Sequence, residues 1–396
     1  MRILLATAGS RGDVEPFTAL ARRATAEGHH VLLVAPDNSG ADLSGIDVRS
    51  MSVDYTRMIE EQGVSLMAAL RSYSSVIRPT MNAVIVEPAR IAREYRPDVV
   101  VAHPKVLSAP LIAEALDVPY VLVELVPAMT PTRAFPAAGT TTRNLGFLNK
   151  LTYRFVAASG AMFANDLDQA AAVFGTRRRR PAGPAATLMP ISSAILERPS
   201  DWPETVHLTG PWLTDRPRTV LSDDVRSFIA GGDFVYAGFG SMVAGNAEQR
   251  TREVLAATRS FGARALLVTG LGGLTTSPHL LGDDVHVVRS VDHTQVLPQA
   301  VAAIHHGGIG TLQTATRAGT VSVVIPFIAD QPFWGARIHA RRLGSAPIRQ
   351  SRLTAARLRA SLAETESYRP EVQRAALAMT REDGVGTALA VIVTTS

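Results

Sequence analysis

Residues 305–319 read HHGGIGTLQTATRAG, two adjacent histidines and three glycines ahead of a helical pattern. A helix start behind a glycine-rich turn presents backbone N–H groups that have no intrahelical partner, and the helix dipole adds partial positive charge to them. That combination suits an anion, most often a phosphate. Gly307, Gly308 and Gly310 let the backbone approach such an anion closely because no Cβ intervenes, and His306 supplies a side-chain donor. A plain strand-to-helix turn with a satisfied histidine explains the stretch equally well when it is taken alone.

The elements around it favour the anion. In the first third of the chain, short β-branched runs (RILLAT, HVLLVAP, DVVVAH, YVLVEL) alternate with helical patterns (EPFTALARRATAEG, SAPLIAEALD). Such alternation means parallel βαβ units with helices on both faces of a sheet, and ligands gather at the carboxyl ends of the strands. Residues 201–218, rich in proline and without periodicity, mark a linker. A second alternating series follows, from FVYAGFGS through AVAAIHHGG to VSVVIPF, and places the glycine-rich turn at a strand's carboxyl end. The predicted fold is therefore α/β, with two Rossmann-like, doubly wound domains facing a deep cleft. The expected boundaries are 1–207 for the first domain, 208–218 for the linker and 219–378 for the second domain, with 379–396 a helical segment crossing back to the first.

Composition agrees with this reading and narrows the function. A chain of 396 residues with 46% hydrophobic and 19% charged residues has the length for two domains and no large disordered part. Cysteine is absent, which excludes disulfides and cysteine metal sites and points to a reducing, cytoplasmic setting. The apolar start breaks at Gly9, too early for a signal peptide, and charged or histidine residues interrupt the longest apolar region, so no membrane span is predicted. The net charge of +5 is carried almost wholly by arginine, Lys105 and Lys150 being the only lysines. The basic run TRRRRPAG at 176–183 lacks interleaved aromatics and reads as a solvated loop, with nucleic acid not expected as a partner and a peripheral membrane contact left open.

Four stretches in order, GSRGDVEPFTALARRATAEGH, TGPWLTD, FVYAGFGS and HHGGIGTLQTATRAGTVSVVIPFIADQPFWGARI, resemble the family 1 inverting glycosyltransferases of the GT-B fold. The likeness is nearest to the bacterial antibiotic glycosyltransferases of the macrolide and glycopeptide type and to the sterol glucosyltransferases, and it covers the whole chain. It implies that His306 and the amides around Gly307, Gly308, Gly310 and Thr311 hold the donor's diphosphate, that Ser241 reaches the same phosphates, and that Asp330 and Gln331 bind the transferred sugar. The uracil is expected beside Ser290 and Val291. The stacking tryptophan of the plant branch is missing there, and Thr314 stands where plant members carry a ribose-binding glutamate, which leaves UDP against dTDP open.

The plant branch uses a histidine as general base after the first strand. The antibiotic branch has an aspartate there, which Asp13 resembles. An acceptor hydroxyl loses its proton as it attacks the anomeric carbon, and a carboxylate within hydrogen-bond reach takes it. Asp13 also reads as an N-cap, with Glu15 and Pro16 in the first turn. Where plant members orient their histidine with an aspartate, this chain has Ser108. With helix amides and His306 stabilising the leaving diphosphate, the resemblance implies no cofactor and no metal in the transfer.

The expected reaction is transfer of a hexose, glucose from UDP-glucose first, to a hydroxyl of a bulky lipophilic acceptor such as a sterol or polyketide, by a monomer or homodimer. A deoxysugar from a dTDP-sugar passed to an antibiotic aglycone is the alternative, and an NDP-sugar epimerase or an inert nucleotide-sugar-binding helper are the rivals. The acceptor is expected in the first domain, against His103, Met129, Phe135 and Met58, within a broad apolar surface that also includes Met51, Met67, Met81, Tyr55, Leu66 and Tyr73.

Overall fold

The computed structural model of the chain describes residues 1–54, 77–178, 182–213, 220–240, 242, 245–270, 272–275 and 277–396. The apolar runs form two parallel sheets. In the first lie β1 (Arg2–Ala6), β2 (His30–Asp37), β3 (Val48–Asp54), β4 (Val99–Ala102), β5 (Tyr120–Val123), β6 (Ala186–Met189) and β7 (Val206–Leu208). Their order is β3-β2-β1-β4-β5-β6-β7. The second sheet holds β8 (Phe234–Gly238), β9 (Arg264–Val268), β10 (Val285–Val288), β11 (Ala302–His305) and β12 (Ser322–Val324), in the order β10-β9-β8-β11-β12. Every residue of β4, β5, β6, β8, β11 and β12 is buried, which is why these strands read as continuous apolar runs rather than alternating ones.

Helices cover both faces. The first domain carries α1 (Arg11–Ala26), α2 (Arg78–Tyr95), α3 (Ala109–Leu116), α4 (Asn149–Ser159) and α5 (Ala164–Val173). The second carries α6 (Asp223–Ala230), α7 (Ala247–Phe261), α8 (His293–Val296), α9 (Ile309–Arg317), α10 (Gln331–Ala340), α11 (Ala355–Ala363) and α12 (Thr365–Met379). The last helix, α13 (Gly384–Thr395), buries Val385, Ala388, Leu389 and Ile392 in the first domain's core beside Phe17, Leu20 and Trp212. An ion pair of 3.2 Å between Arg23 and Asp383 fastens its start to α1.

A third core joins the domains: Phe135, Ile191, Ile195 and Trp202 pack with Leu312, Phe333, Trp334 and Ile338. The ring of Phe135 meets Trp202 and Phe333 edge-on at centroid distances of 6.0 and 5.5 Å. Phe135 is thus spent on the joint between the domains, at 3% exposure, and not offered to an acceptor. Met51, likewise expected on the acceptor surface, is fully buried on β3, because its side chain falls on the strand face that packs under α2. Among the described residues no helix is long and apolar enough to cross a membrane.

In each sheet the strand order reverses once, between β1 and β4 and between β8 and β11. Connections leave these neighbours towards opposite faces, so a crevice opens outside their carboxyl ends. The expected chemistry sits at both.

Candidate functional site

Ala6 of β1 is in register with Ala102 of β4, so the segments leaving these strands run side by side. One begins α1. Ser10, in extended conformation, is its N-cap, which places Asp13 in the first turn rather than at the cap itself. The Ser10 amide donates to Asp13 Oδ2 at 3.0 Å, and the Thr7 hydroxyl donates to the Asp13 carbonyl at 2.8 Å. The other segment brings His103 and Lys105. Lys105 Nζ donates to Asp13 Oδ1 at 3.0 Å, and His103 Nε2 lies 3.6 Å from the same oxygen. Arg11 points elsewhere and pairs with Glu15 at 3.1 Å. Gly9 forms the floor: at φ +138° it holds a conformation that favours glycine, and a Cβ there would stand 2.0 Å from Asp13 Oδ2 and 2.8 Å from Lys105 Nζ.

Burial holds His103 neutral, its pKa lowered to about 3, with the Lys105 charge adding to the effect and Asp13 opposing it. Its Nδ1 accepts from the Lys105 amide at 3.2 Å, which leaves the ring proton on Nε2, facing the Asp13 carboxylate. Ser108, the N-cap of α3, is fully buried, and its hydroxyl has no hydrogen-bond partner among the described residues.

At the second crevice, His305 of β11 is in register with Gly238 of β8. His305 is fully buried, and its Nδ1 accepts from the Gly307 amide at 3.1 Å. The first histidine of the pair therefore folds the turn, and burial first, then the neighbouring histidines, lowers its pKa to about 3. Gly307 has φ +88°, and a Cβ there would meet Val324 Cγ1 at 2.6 Å. Gly308 is the N-cap of α9 and offers no side-chain cap, and the first intrahelical bond runs from the Leu312 amide to the Gly308 carbonyl at 3.0 Å. The amides of Ile309, Gly310 and Thr311 precede that bond, so they are the orphan donors of the helix start. No described residue lies within 4 Å of where a Cβ on Gly310 would be.

His306 completes this end. Its Nδ1 is buried with no hydrogen-bond partner among the described residues, and burial, followed by His293, lowers its pKa to about 4. The loop after β8 comes close, since a Cβ on Gly240 would stand 3.6 Å from His306 Cε1. Ser241, the next residue, and Met58 of the acceptor set lie outside the described residues. So do Tyr55, Leu66, Met67 and Tyr73, while Arg178 of the basic run pairs with Asp168 at 3.1 Å. Ser290 is exposed just beyond β10, and Val291 is half-buried against the second domain's core.

Asp330 caps α10 and accepts from Trp334 Nε1 at 2.8 Å. The preceding Ala329 has φ +55°, a left-handed conformation unusual for a residue with a Cβ. Burial raises the Asp330 pKa, with the Trp334 hydrogen bond among the effects opposing the rise. A Cβ on Gly139 of the first domain would stand 3.8 Å from the Ala329 carbonyl carbon, so the loop before α10 comes close to the first domain. Gln331 is mostly buried. Its Oε1 accepts from the amides of Phe327 and Ile328 at 2.8 and 3.1 Å, and its Nε2 donates to Met242 Sδ at 3.3 Å, so both ends of the side chain shape the loop.

Residue type and spacing do not single out two further groups. Glu124, fully buried after β5, accepts from the amides of Ala128 and Met129 at 3.1 and 2.8 Å and from the Thr130 hydroxyl, which pins the loop carrying Met129. His293, at the start of α8, contacts the Tyr236 hydroxyl through Nε2 at 2.8 Å. Burial and then the Arg11 charge lower the His293 pKa. Its place in DHTQVLP was the available signal; the loneliness of Glu124 among apolar residues in YVLVELVPAM was the other.

Comparison with known proteins agrees with this geometry. Residues 3–136 match the glycosyltransferase family 28 N-terminal domain, and residues 273–385 match the C-terminal domain of erythromycin biosynthesis protein CIII-like proteins. The chain is 32% identical over 389 residues to the O-mycaminosyltylonolide 6-deoxyallosyltransferase of Streptomyces fradiae, covering 91% of this chain and 89% of that one. A sterol 3-beta-glucosyltransferase of Arabidopsis thaliana is 27% identical, with 98% and 67% covered. One from Cryptococcus neoformans is 28% identical, and the chain spans only 27% of its length. Among solved structures, the glycosyltransferase of kitacinnamycin superposes with a TM-score of 0.74 at 19% identity, covering 100% of this chain and 98% of that one. Glycosyltransferase VinC, solved with dTDP, gives 0.67 at 18%, covering 100% and 99%.

Proposed function

The chain belongs to the GT-B glycosyltransferases, the family of the antibiotic glycosyltransferases and sterol 3-beta-glucosyltransferases, and from that premise we propose that it transfers a hexosyl group with inversion to a hydroxyl of a bulky lipophilic acceptor. The observation that carries this reading is the pairing of the two crevices. A carboxylate held at the rim of one is matched in the other by an uncapped helix start and a buried histidine nitrogen that has no partner among the described residues. Asp13 is the general base, taking the acceptor's proton as the new bond forms. The α9 amides and His306 receive the negative charge that the departing nucleoside diphosphate develops. Because these donors are fixed before the reaction, the transfer needs no divalent metal for this charge. Asp330 holds the sugar's hydroxyls.

Glucose from UDP-glucose, passed to a sterol or polyketide alcohol, is the first pair to test. The exposed apolar side chains Phe147, Leu151, Phe155 and Met162 on and beside α4 support a lipophilic acceptor, and a peripheral membrane contact would use the same flank. A second reading, a 6-deoxysugar from a dTDP-sugar passed to a macrolide-type aglycone, is favoured by the relative from S. fradiae, which matches at higher identity than the Arabidopsis sterol enzyme. A mass-spectrometric screen with chelator present, crossing UDP-glucose and dTDP-deoxysugars against sterols, macrolides and polycyclic aglycones, separates them. A product heavier by one hexosyl unit selects the first, one heavier by a deoxyhexosyl unit the second. Transfer that depends on added metal would overturn the charge-stabilising role given to α9 and His306.

A further inference from the structure

We propose that Lys105 is a positioning residue for the transfer step: its ammonium fixes the Asp13 carboxylate towards the acceptor. This rests on Asp13 being the base.

Three observations carry it. Lys105 reaches Asp13 Oδ1 at 3.0 Å while the Ser10 amide holds Oδ2 at 3.0 Å, so the carboxylate is gripped at both oxygens and cannot turn about its last bond without losing one partner. The Lys105 side chain is 45% exposed and that of Asp13 23%, and an ion pair so open to water adds only about 0–1 kcal/mol to stability, too little to be a reason for fixing the geometry. Finally, nearly all basic residues of this chain are arginine, yet this place holds one of its two lysines. A guanidinium would tend to fork across both carboxylate oxygens, whereas an ammonium grips one as a compact charge and leaves the other to the amide. The titratable groups against Asp13 are then Lys105 and neutral His103, while Arg11 and Glu15 pair with each other.

The test is a set of variants assayed in the full chain with UDP-glucose or a dTDP-sugar and an acceptor found by the transfer screen. Lys105→Met should lower kcat about 10–100-fold, the scale of a misplaced catalytic group. The donor KM should stay within about two-fold, and the thermal midpoint should not move. Lys105→Arg keeps the cation but forks across both oxygens, so it should recover only part of the loss. Asp13→Asn combined with Lys105→Met should be no slower than Asp13→Asn alone, because Lys105 acts only through the carboxylate. Full turnover in Lys105→Met, or multiplied losses in the double variant, would overturn the inference while leaving Asp13 as the base. Full turnover in Asp13→Asn would instead remove the base reading on which it stands.

Discussion

At the first crevice the groups facing the cleft are charged side chains: Asp13 and Lys105 touch at 3.0 Å at the rim, each partly open to water. At the second they are backbone amides and a histidine that burial keeps neutral, in a turn whose glycines leave the backbone bare. The contrast suits the tasks proposed for the two crevices. A proton acceptor must change its charge during the reaction, so it belongs where water can reach it and a neighbouring cation steadies its ionised state. An anion that enters and leaves is better met by dipoles that never change, since neither helix amides nor a neutral imidazole has to be stripped of a hydration shell built around a full charge.

The contrast breaks in different ways. Asp13→Ala should give the largest effect, a fall in turnover of about 10²–10⁴ with donor affinity unchanged, measured by initial rates and by calorimetric titration with UDP or dTDP. A matching loss of nucleotide affinity would show that the two crevices are not separate in function. His306→Ala should weaken nucleotide binding and turnover together by about 10–100-fold, the worth of a hydrogen bond to a charged group. If affinity survives that change, the phosphate lies elsewhere.

The smallest effect concerns stability. His103, His305 and His306 are neutral in the fold, with pKa values near 3, 3 and 4, against 6.5 when freed. Between pH 6.5 and about 4 the unfolded chain therefore takes up protons that the folded chain refuses, so stability falls as pH drops through that window and is level above it. The urea midpoint should be lower at pH 5 than at pH 7.5. His305→Asn, whose side-chain oxygen can still accept from the Gly307 amide, should make that difference smaller. A difference that does not change would mean that His305 contributes none of it.

How much of this was legible in the sequence depended on the range of the interaction. The alternation of β4, α3 and β5, and the glycine turn before α9, follow from neighbours a few residues apart, and the sequence carried them. The grip of Lys105 on Asp13 spans 92 positions and exists because β1 and β4 are neighbours in a strand order no local pattern encodes. Phe135 and Gln331 show the converse. Their residue types suit a pocket, but a ring in AFP and an amide in ADQPF look the same whether they face a ligand or their own chain, and here one packs between the domains while the carbonyl of the other holds a loop. The N-cap reading of Asp13 erred by three residues for a simpler reason: Ser10 is as good a cap and comes first.

The return of α13 onto the first domain has a practical consequence for building chimaeras. The first half of the molecule is encoded in two pieces, residues up to the linker and a last segment that supplies Val385, Leu389 and Ile392 to its core. A hybrid cut once at the linker would pair an acceptor half with a foreign tail. The exchangeable module is the first half together with its distant final helix, two separate stretches of gene that have to travel as one part.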